Sequence, residues 1–197
     1  MLIYPLKVIV AAIAVILSFV GYIPYIHDTL KGKTKPHIYS WFIWGFASLL
    51  VFFLQYGDNA GPGAFVTLAA ACGCLAIFAI SYRKGNRDIT AADTAFFAIS
   101  LAALVLWLFA GQAIISVILL CSVDLFGFMP TIRKSWSKPY TETLFTYGTS
   151  TLRFALAIYA LQTYTIVTSL YPVAWLLANG SFAVLLVVRR RQLGKRS

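Results

Sequence analysis

Two ionisable residues lie deep inside long apolar runs of this sequence, where a charged side chain most needs a chemical role. Asp124 lies in the run 113–132 and Arg153 in the run 140–161. At about 1.5 Å per helical residue, Asp124 is roughly 12 Å and Arg153 roughly 20 Å from the basic loop between the two runs. Because an ionisable group at such a depth costs at least about 2.5 kcal/mol in a bilayer, both are predicted to be functional.

The two side chains favour different chemistry. A carboxyl group can gain and lose a proton, so we predict that Asp124 binds substrate and couples its movement to protons. Arg153 keeps its positive charge and needs an anion. One candidate anion is Asp124, through a stretched side chain or a bridging water, because the depths differ by roughly 8 Å. The other is a ligand carboxylate or phosphate, which a guanidinium binds with two hydrogen bonds. A purely structural ion pair or helix contact is the alternative.

Aromatic and amide side chains could complete such a site. Trp44 and Tyr147 each stand directly before a glycine in two related segments, and Asn179 follows Trp175 by one helical turn. Aromatic faces around a central site bind sugars, zwitterions or planar ligands. Ordinary packing, or for the amide a bond between helices, is the alternative. The predicted substrate-binding residues are Trp44, Asp124, Tyr147, Arg153, Trp175 and Asn179.

The segments that hold these residues occur twice in the chain. Each copy ends an apolar run in glycine-aromatic-apolar-proline and continues through a basic loop to Lys-Pro. A new apolar run follows, with a glycine nine residues after that second proline. Glycine and proline inside an apolar helix permit bending, so Gly21, Pro24, Gly127 and Pro130 are predicted to be hinges. The alternative is that each proline ends its helix.

The elements that position these residues follow from composition. The chain has 197 residues, of which 60% are hydrophobic and 11% charged, whereas a soluble domain is about 45–50% apolar. Runs of about 20 apolar residues match a hydrocarbon core of about 30 Å, so an integral membrane protein is predicted. Backbone groups in lipid must be paired within each run, so all runs are predicted helices. These runs are 3–26, 38–56, 62–82, 92–110, 113–132, 140–161 and 164–188.

The net charge of +10 reflects membrane orientation rather than nucleic-acid binding. Of the 16 basic residues, 14 follow the first, third, fifth or seventh run, and the opposite loops carry none. Basic loops stay on the cytoplasmic side, so the N-terminus is predicted outside and the C-terminus inside. A bacterial inner membrane is the plainest location, and membrane lipid is an expected partner.

Seven helices with a repeated motif predict an all-α membrane fold of 3+1+3 helices. The predicted units are a first triple-helix bundle (1–84), a linker helix (85–111) and a second bundle with a basic tail (112–197). Three helices reverse the direction of the chain, and the single linker helix restores it. The two bundles are therefore predicted to be parallel repeats.

The proline-containing end of the first and fifth runs, the basic loop and the Lys-Pro pair before an aromatic-rich helix resemble the PQ-loop motif. The layout is similar to that of the PQ-loop superfamily, which includes SWEET sugar transporters, cystinosin-type amino-acid exporters and the KDEL receptor. The resemblance implies alternating access by rocking of two bundles. Tyr25 and Thr131 stand where the motif has glutamine. SWEET proteins have two asparagines on the third and seventh helices, and here Cys72 replaces the first while Asn179 is the second.

The sequence therefore predicts a transporter of a small polar solute, with amino-acid-like, anionic and sugar solutes all open. A receptor of the KDEL-receptor type that binds a ligand without moving it is the alternative, and a membrane enzyme is a third. We expect no enzymatic activity, cofactor, metal or nucleic-acid partner, and homo-oligomerisation is open. His27 and His37 are expected to be solvated loop residues, and Asp93 and Glu142 to be first-turn acids that interact with the helix dipole.

Overall fold

In the computed structural model, which describes residues 3–84, 89–107, 109 and 111–194, the chain is helical and the described part contains no strand. The predicted number of helices is confirmed there. Two short 3₁₀ turns precede the third and sixth helices, at Gly61–Gly63 and Pro139–Thr141. The helices are α1 (Ile3–Leu30), α2 (Ile38–Gly57), α3 (Ala64–Lys84), α4 (Ala91–Trp107), α5 (Ala113–Ser137), α6 (Leu144–Ala160) and α7 (Ile166–Gly194).

The described helices are consistent with an integral membrane protein. Five of them, α1, α2, α3, α5 and α7, are long and apolar enough to cross a bilayer. In α4 the apolar segment is shorter, at Ala91–Ala102, and α6 has 17 residues, which is close to the lower limit for a span. Large apolar side chains such as Ile16, Leu177 and Val184 are more than 60% exposed on the outer surface of the bundle.

The prolines at 24 and 130 lie inside helices. α1 continues to Leu30 after Pro24, and α5 continues to Ser137 after Pro130. The alternative that each proline ends its helix is therefore wrong, and the predicted ends of these helices, at 26 and 132, were too early. Each proline removes one backbone donor from a helix that nevertheless continues, which is the arrangement that a hinge requires.

The helices pack in two similar groups. Within the first, α3 lies between α1 and α2; within the second, α7 lies between α5 and α6. The groups meet along two seams, where α1 packs on α6 and α2 packs on α5. α4 packs mainly on α5 and more weakly on α2.

A glycine permits close approach at each seam. A Cβ atom on Gly21 would lie 2.3 Å from Oγ1 of Thr149 in α6, and one on Gly127 would lie 2.8 Å from Cγ2 of Ile43 in α2. Thr146 also donates a hydrogen bond of 2.8 Å to the carbonyl of Gly21. Both glycines are thus needed for helix contact, whether or not they also act as hinges.

One end of the bundle carries the basic loops, and we call it the basic end. The loop 31–37, the loop 138–143 and the C-terminal part of α7 meet there. The amide of Lys35 donates to the carbonyl of Thr141 at 3.0 Å, and Arg190 donates to the carbonyl of Pro139 at 3.1 and 3.2 Å.

Candidate functional site

A small cavity lies in the centre of the bundle between the two helix groups. Side chains from α1, α2, α3, α6 and α7 line it, and its volume is about 30 Å³. A space of that size holds one or two water molecules and no solute. Five of the predicted substrate-binding residues line this cavity: Trp44, Tyr147, Arg153, Trp175 and Asn179.

Arg153 is the only charged side chain among the described residues that line the cavity. It is 4% exposed, and its Nη2 donates to the hydroxyl of Tyr22 at 2.7 Å. The guanidinium also lies 4.8 Å from the ring centres of Tyr22 and Phe154. Its Nε and Nη1 have no hydrogen-bond partner among the described residues. A buried guanidinium with unpaired N–H groups is costly unless an anion or a cavity water reaches them.

Asp124 lies one layer behind the cavity wall. Asp124 is fully buried, and it is not among the residues that line the cavity. Oδ2 accepts hydrogen bonds from Tyr171 at 2.7 Å and from Trp175 at 3.1 Å, and both of these donors line the cavity. Oδ1 has no partner among the described groups. Asp124 was predicted to bind substrate directly, but it does not line the cavity; Tyr171 and Trp175 connect it to the cavity.

Asp124 and Arg153 form no ion pair with each other in the described part of the chain. Of the two anions considered for Arg153, the nearby aspartate is thus not engaged as a direct partner. Ser18 stands three residues before Gly21, as Asp124 stands three residues before Gly127 in the second copy of the motif. The hydroxyl of Ser18 donates to the carbonyl of Ala14 in its own helix at 2.9 Å. The carboxyl group therefore makes the two halves of the bundle chemically different.

The aromatic residues form a connected wall rather than two opposed faces. Trp44 contacts Trp175 with ring centres 5.4 Å apart and contacts Phe128 at 5.1 Å. Phe128 in turn lies 6.3 Å from Tyr147 and is stacked on it, so it connects the rings of Trp44 and Tyr147. The amide of Asn179 donates 2.7 Å to the carbonyl of Trp175 in its own helix. This bond fixes the amide beside the cavity and joins no second helix.

Sequence reasoning missed a buried polar cluster at the basic end. Glu142, which was expected to interact with a helix dipole, is 1% exposed and precedes α6. Its carboxylate accepts from Tyr25 at 2.8 Å and from Tyr147 at 2.9 Å, and it forms an ion pair with Lys134. The only sequence signal is an acid eight residues after a lysine, separated by Lys-Pro, which does not reveal the burial of either residue.

His37 corrects a second expectation. It was expected to be solvated, but it is fully buried, with Nε2 3.5 Å from the carboxylate of Asp93. Asp93 also receives two hydrogen bonds from Arg133, at 2.8 and 2.7 Å, which tie α4 to α5. Burial, assisted by the nearby Lys134 and Arg133 cations, lowers the pKa of His37 from 6.5 to about 4, although Asp93 acts in the opposite direction. His27 is exposed, as expected, but it lies in the last turn of α1 rather than in a loop.

Comparisons of the chain with protein-family models, with curated proteins and with solved structures find no match. No activity is therefore carried over from a relative. What the site can do follows from its own chemistry: a central cavity, a guanidinium on its wall with two unpartnered nitrogen atoms, aromatic surfaces, and a carboxyl group connected through two hydrogen-bond donors.

Proposed function

We propose that this protein is a membrane transporter that moves a small polar solute through the central cavity by alternating access. The observation that carries the proposal is Arg153, a buried cation with two unpartnered nitrogen atoms on the wall of the central cavity. Such a group binds an anionic part of a solute, as in an organic anion or an amino acid. A neutral sugar would leave the charge uncompensated and is the less favoured solute.

The packing supports an arrangement of two parallel triple-helix repeats with α4 as the linker. The order α1-α3-α2 in one group matches the order α5-α7-α6 in the other, and the seam α1–α6 matches the seam α5–α2. This is the pattern expected for two like-oriented repeats around an axis along the membrane normal. In this proposal all seven helices cross the membrane, the basic end is cytoplasmic, and the chain belongs to the PQ-loop superfamily.

Hydrogen-bonded side chains bound the cavity towards both ends, as expected of an intermediate state in alternating access. Towards the basic end it is covered by the cluster around Glu142. Towards the other end, Ser48 bonds the hydroxyl of Tyr171 at 2.6 Å, and Gln55 donates to the carbonyl of Thr168 at 2.9 Å. Bending at Pro24 and Pro130, which lie inside helices on the two seams, would separate the groups at one end at a time.

Asp124 is the proposed proton acceptor. Its Oδ1 has no partner in the described structure, so a proton there breaks no existing hydrogen bond. Oδ2 is bonded to two cavity residues, Tyr171 and Trp175. A change of charge on Asp124 would therefore be felt by the groups that contact the solute, although Asp124 does not contact it in this state.

Uptake into liposomes that contain the purified protein tests this function. A panel of amino acids, organic anions and sugars is offered with and without an inward pH gradient. We expect uptake of a carboxylate-bearing solute that the gradient accelerates. Asp124→Asn should abolish the acceleration while solute exchange at equal pH continues. Tight binding of a panel member with no flux in either condition would favour the receptor function instead.

A further inference from the structure

We propose that Lys134 and Glu142, together with Tyr25, form the gate that closes the cavity from the basic end. The inference rests on the proposed transport function, but it concerns residues outside the solute site. The three residues come from different elements: Tyr25 from α1, Lys134 from α5, and Glu142 from the segment between the 3₁₀ turn and α6.

The side chains of Tyr25, Lys134 and Glu142 are buried from solvent and hydrogen-bonded to one another. The side chains of Lys134 and Glu142 have no solvent exposure, and Tyr25 is also fully buried. Glu142 uses one carboxylate oxygen for Lys134 and the other for the hydroxyls of Tyr25 and Tyr147. The other described pair between a carboxylate and a lysine or arginine is Asp93 with Arg133, in which the arginine side chain is 37% exposed.

The cluster joins the two helix groups. The ammonium group of Lys134, in the second group, also donates to the backbone carbonyl of Lys35, in the loop of the first group. The hydroxyl of Tyr25, in the first group, donates to Glu142 of the second at 2.8 Å. Trp41 donates to the same hydroxyl at 3.1 Å. The two groups cannot separate at the basic end unless the bond from Lys134 to Lys35 and the bond from Tyr25 to Glu142 break.

The cluster also lies between the cavity and the basic end. The ring of Tyr147 lines the cavity, while its hydroxyl binds Glu142. Trp41 likewise lines the cavity and binds Tyr25 through its indole nitrogen. A solute that leaves the cavity towards the basic end therefore meets these side chains first. Two cavity residues touch the gate directly, so occupancy of the cavity can be communicated to it.

A buried ion pair is suited to a gate because its net free energy is small. The attraction between the charges in the closed state is offset by the cost of removing both from water. When the gate opens, each charge regains water, so separation costs little. Removal of one partner alone destroys this balance, because it leaves the other charge buried and uncompensated in the closed state. Single neutral variants should therefore open the gate.

A native cysteine can report the opening. Cys74 lines the cavity and is 5% exposed, so it should react slowly with water-soluble maleimides in this state and faster when one end opens. Cys72→Ser and Cys121→Ser leave it as the sole cysteine of the full chain. The orientation of the protein in the liposomes is determined with a second preparation that carries Lys33→Cys, at an exposed position of the basic loop. The side from which this cysteine is labelled is the side of the vesicle membrane that carries the basic end.

In this background, Glu142→Gln and Lys134→Met should each raise the rate of Cys74 modification from the basic-end face by about tenfold or more. The rate from the opposite face should not rise. Tyr25→Phe removes one hydrogen bond without changing charge and should give a smaller increase of a few-fold. The double variant Glu142→Gln/Lys134→Met should react more slowly than either single variant, because no uncompensated charge remains.

Lys31→Gln is the control for loss of one positive charge at the same end, since Lys31 is exposed, and it should not change the rate. The proposal is overturned if the single variants elute as folded protein but leave the Cys74 rate unchanged, or raise it equally from both faces. Flux measurements separate the two proposals. If the gate variants speed the Cys74 reaction but the protein moves no solute, the gate proposal stands and the transport proposal is rejected. If the protein moves solute but the gate variants leave Cys74 reactivity unchanged, the gate proposal is rejected.

Discussion

Tyr171 donates a hydrogen bond of 2.7 Å to the buried carboxylate of Asp124, and the same hydroxyl is bonded to Ser48 at 2.6 Å. A phenol has a single proton, so Ser48 must be the donor to Tyr171. The chain Ser48–Tyr171–Asp124 thus runs from α2 through α7 to α5 in one direction. It connects helices of both groups and links the carboxyl group to the cavity.

Tyr171→Phe tests the importance of this chain. The variant removes one of the two described donors to Asp124 and leaves Ser48 without its acceptor, so we expect the free energy of unfolding to fall by about 1–3 kcal/mol. Thermal unfolding in detergent measures the effect. Tyr159→Phe on the exposed surface is the control and should change little. Equal stability of the two variants would show that the hydrogen-bond chain contributes nothing to the stability of the fold.

Gly21→Ala and Gly127→Ala test the close seams. Added Cβ atoms would lie 2.3 Å from Thr149 and 2.8 Å from Ile43, so each variant should be destabilised by about 1–3 kcal/mol. Gly148→Ala in α6 is the matched control, because an added Cβ there meets nothing within 4 Å. Alanine favours the helix over glycine by about 0.5–1 kcal/mol, so this control should be neutral or stabilising. Destabilisation of all three alike would contradict the packing described.

His37 predicts a pH dependence of stability. Burial lowers its pKa in the folded protein to about 4, whereas an unfolded histidine titrates near 6.5. Between these values the unfolded chain binds the proton and the folded chain does not, so stability is complete above pH 6.5 and falls as the pH approaches 4. The loss should reach at most about 3 kcal/mol. The charged groups around the ring are Asp93, Arg133 and Lys134.

Thermal unfolding at pH 7 and pH 4.5 measures this loss. His37→Gln should reduce the difference between the two pH values, because the group that gains the proton on unfolding is gone. His27→Gln, with an imidazole that is 58% exposed, is the control and should retain the difference. A wild-type protein equally stable at both pH values would rule out a buried, neutral His37.

Arg153→Met separates function from stability. The arginine is 4% exposed and has two unpartnered nitrogen atoms, so an apolar side chain of similar length should be neutral or stabilising by about 1–4 kcal/mol. The same variant should lose solute binding. Thermal unfolding and solute binding are measured on the same preparation. A Met variant that is strongly destabilised would show that Arg153 is a structural residue.

The helical fold could be predicted because seven apolar runs and their basic loops leave few alternatives in a bilayer. The ends of α1 and α5 could not be predicted, since these helices continue beyond their apolar runs through polar residues such as His27, Arg133 and Lys134. A change from apolar to basic residues marks where lipid ends, but a helix also continues in the interfacial region until a cap or turn stops it.

The cavity residues were partly predictable because a charge or an amide inside an apolar run stands out against its surroundings, as with Arg153 and Asn179. The position of Asp124 behind Tyr171 was not predictable. The sequence gives the depth of a residue along its helix, but it does not show which side chains of other helices separate that residue from the cavity. Glu142 was missed for another reason. Near a helix start an acid has a simple local explanation, and its partner Lys134 lies across a turn whose path the sequence does not specify.

Solute uptake by liposomes that contain the wild-type protein or Arg153→Met is the most direct test of the central claim, that the cavity beside Arg153 is a transport site. We expect the wild type to accumulate at least one carboxylate-bearing solute and Arg153→Met, folded and reconstituted to the same amount, to lose at least about nine-tenths of that uptake. Uptake that is unchanged in Arg153→Met would contradict the claim, as would an absence of uptake for every solute offered to the wild type.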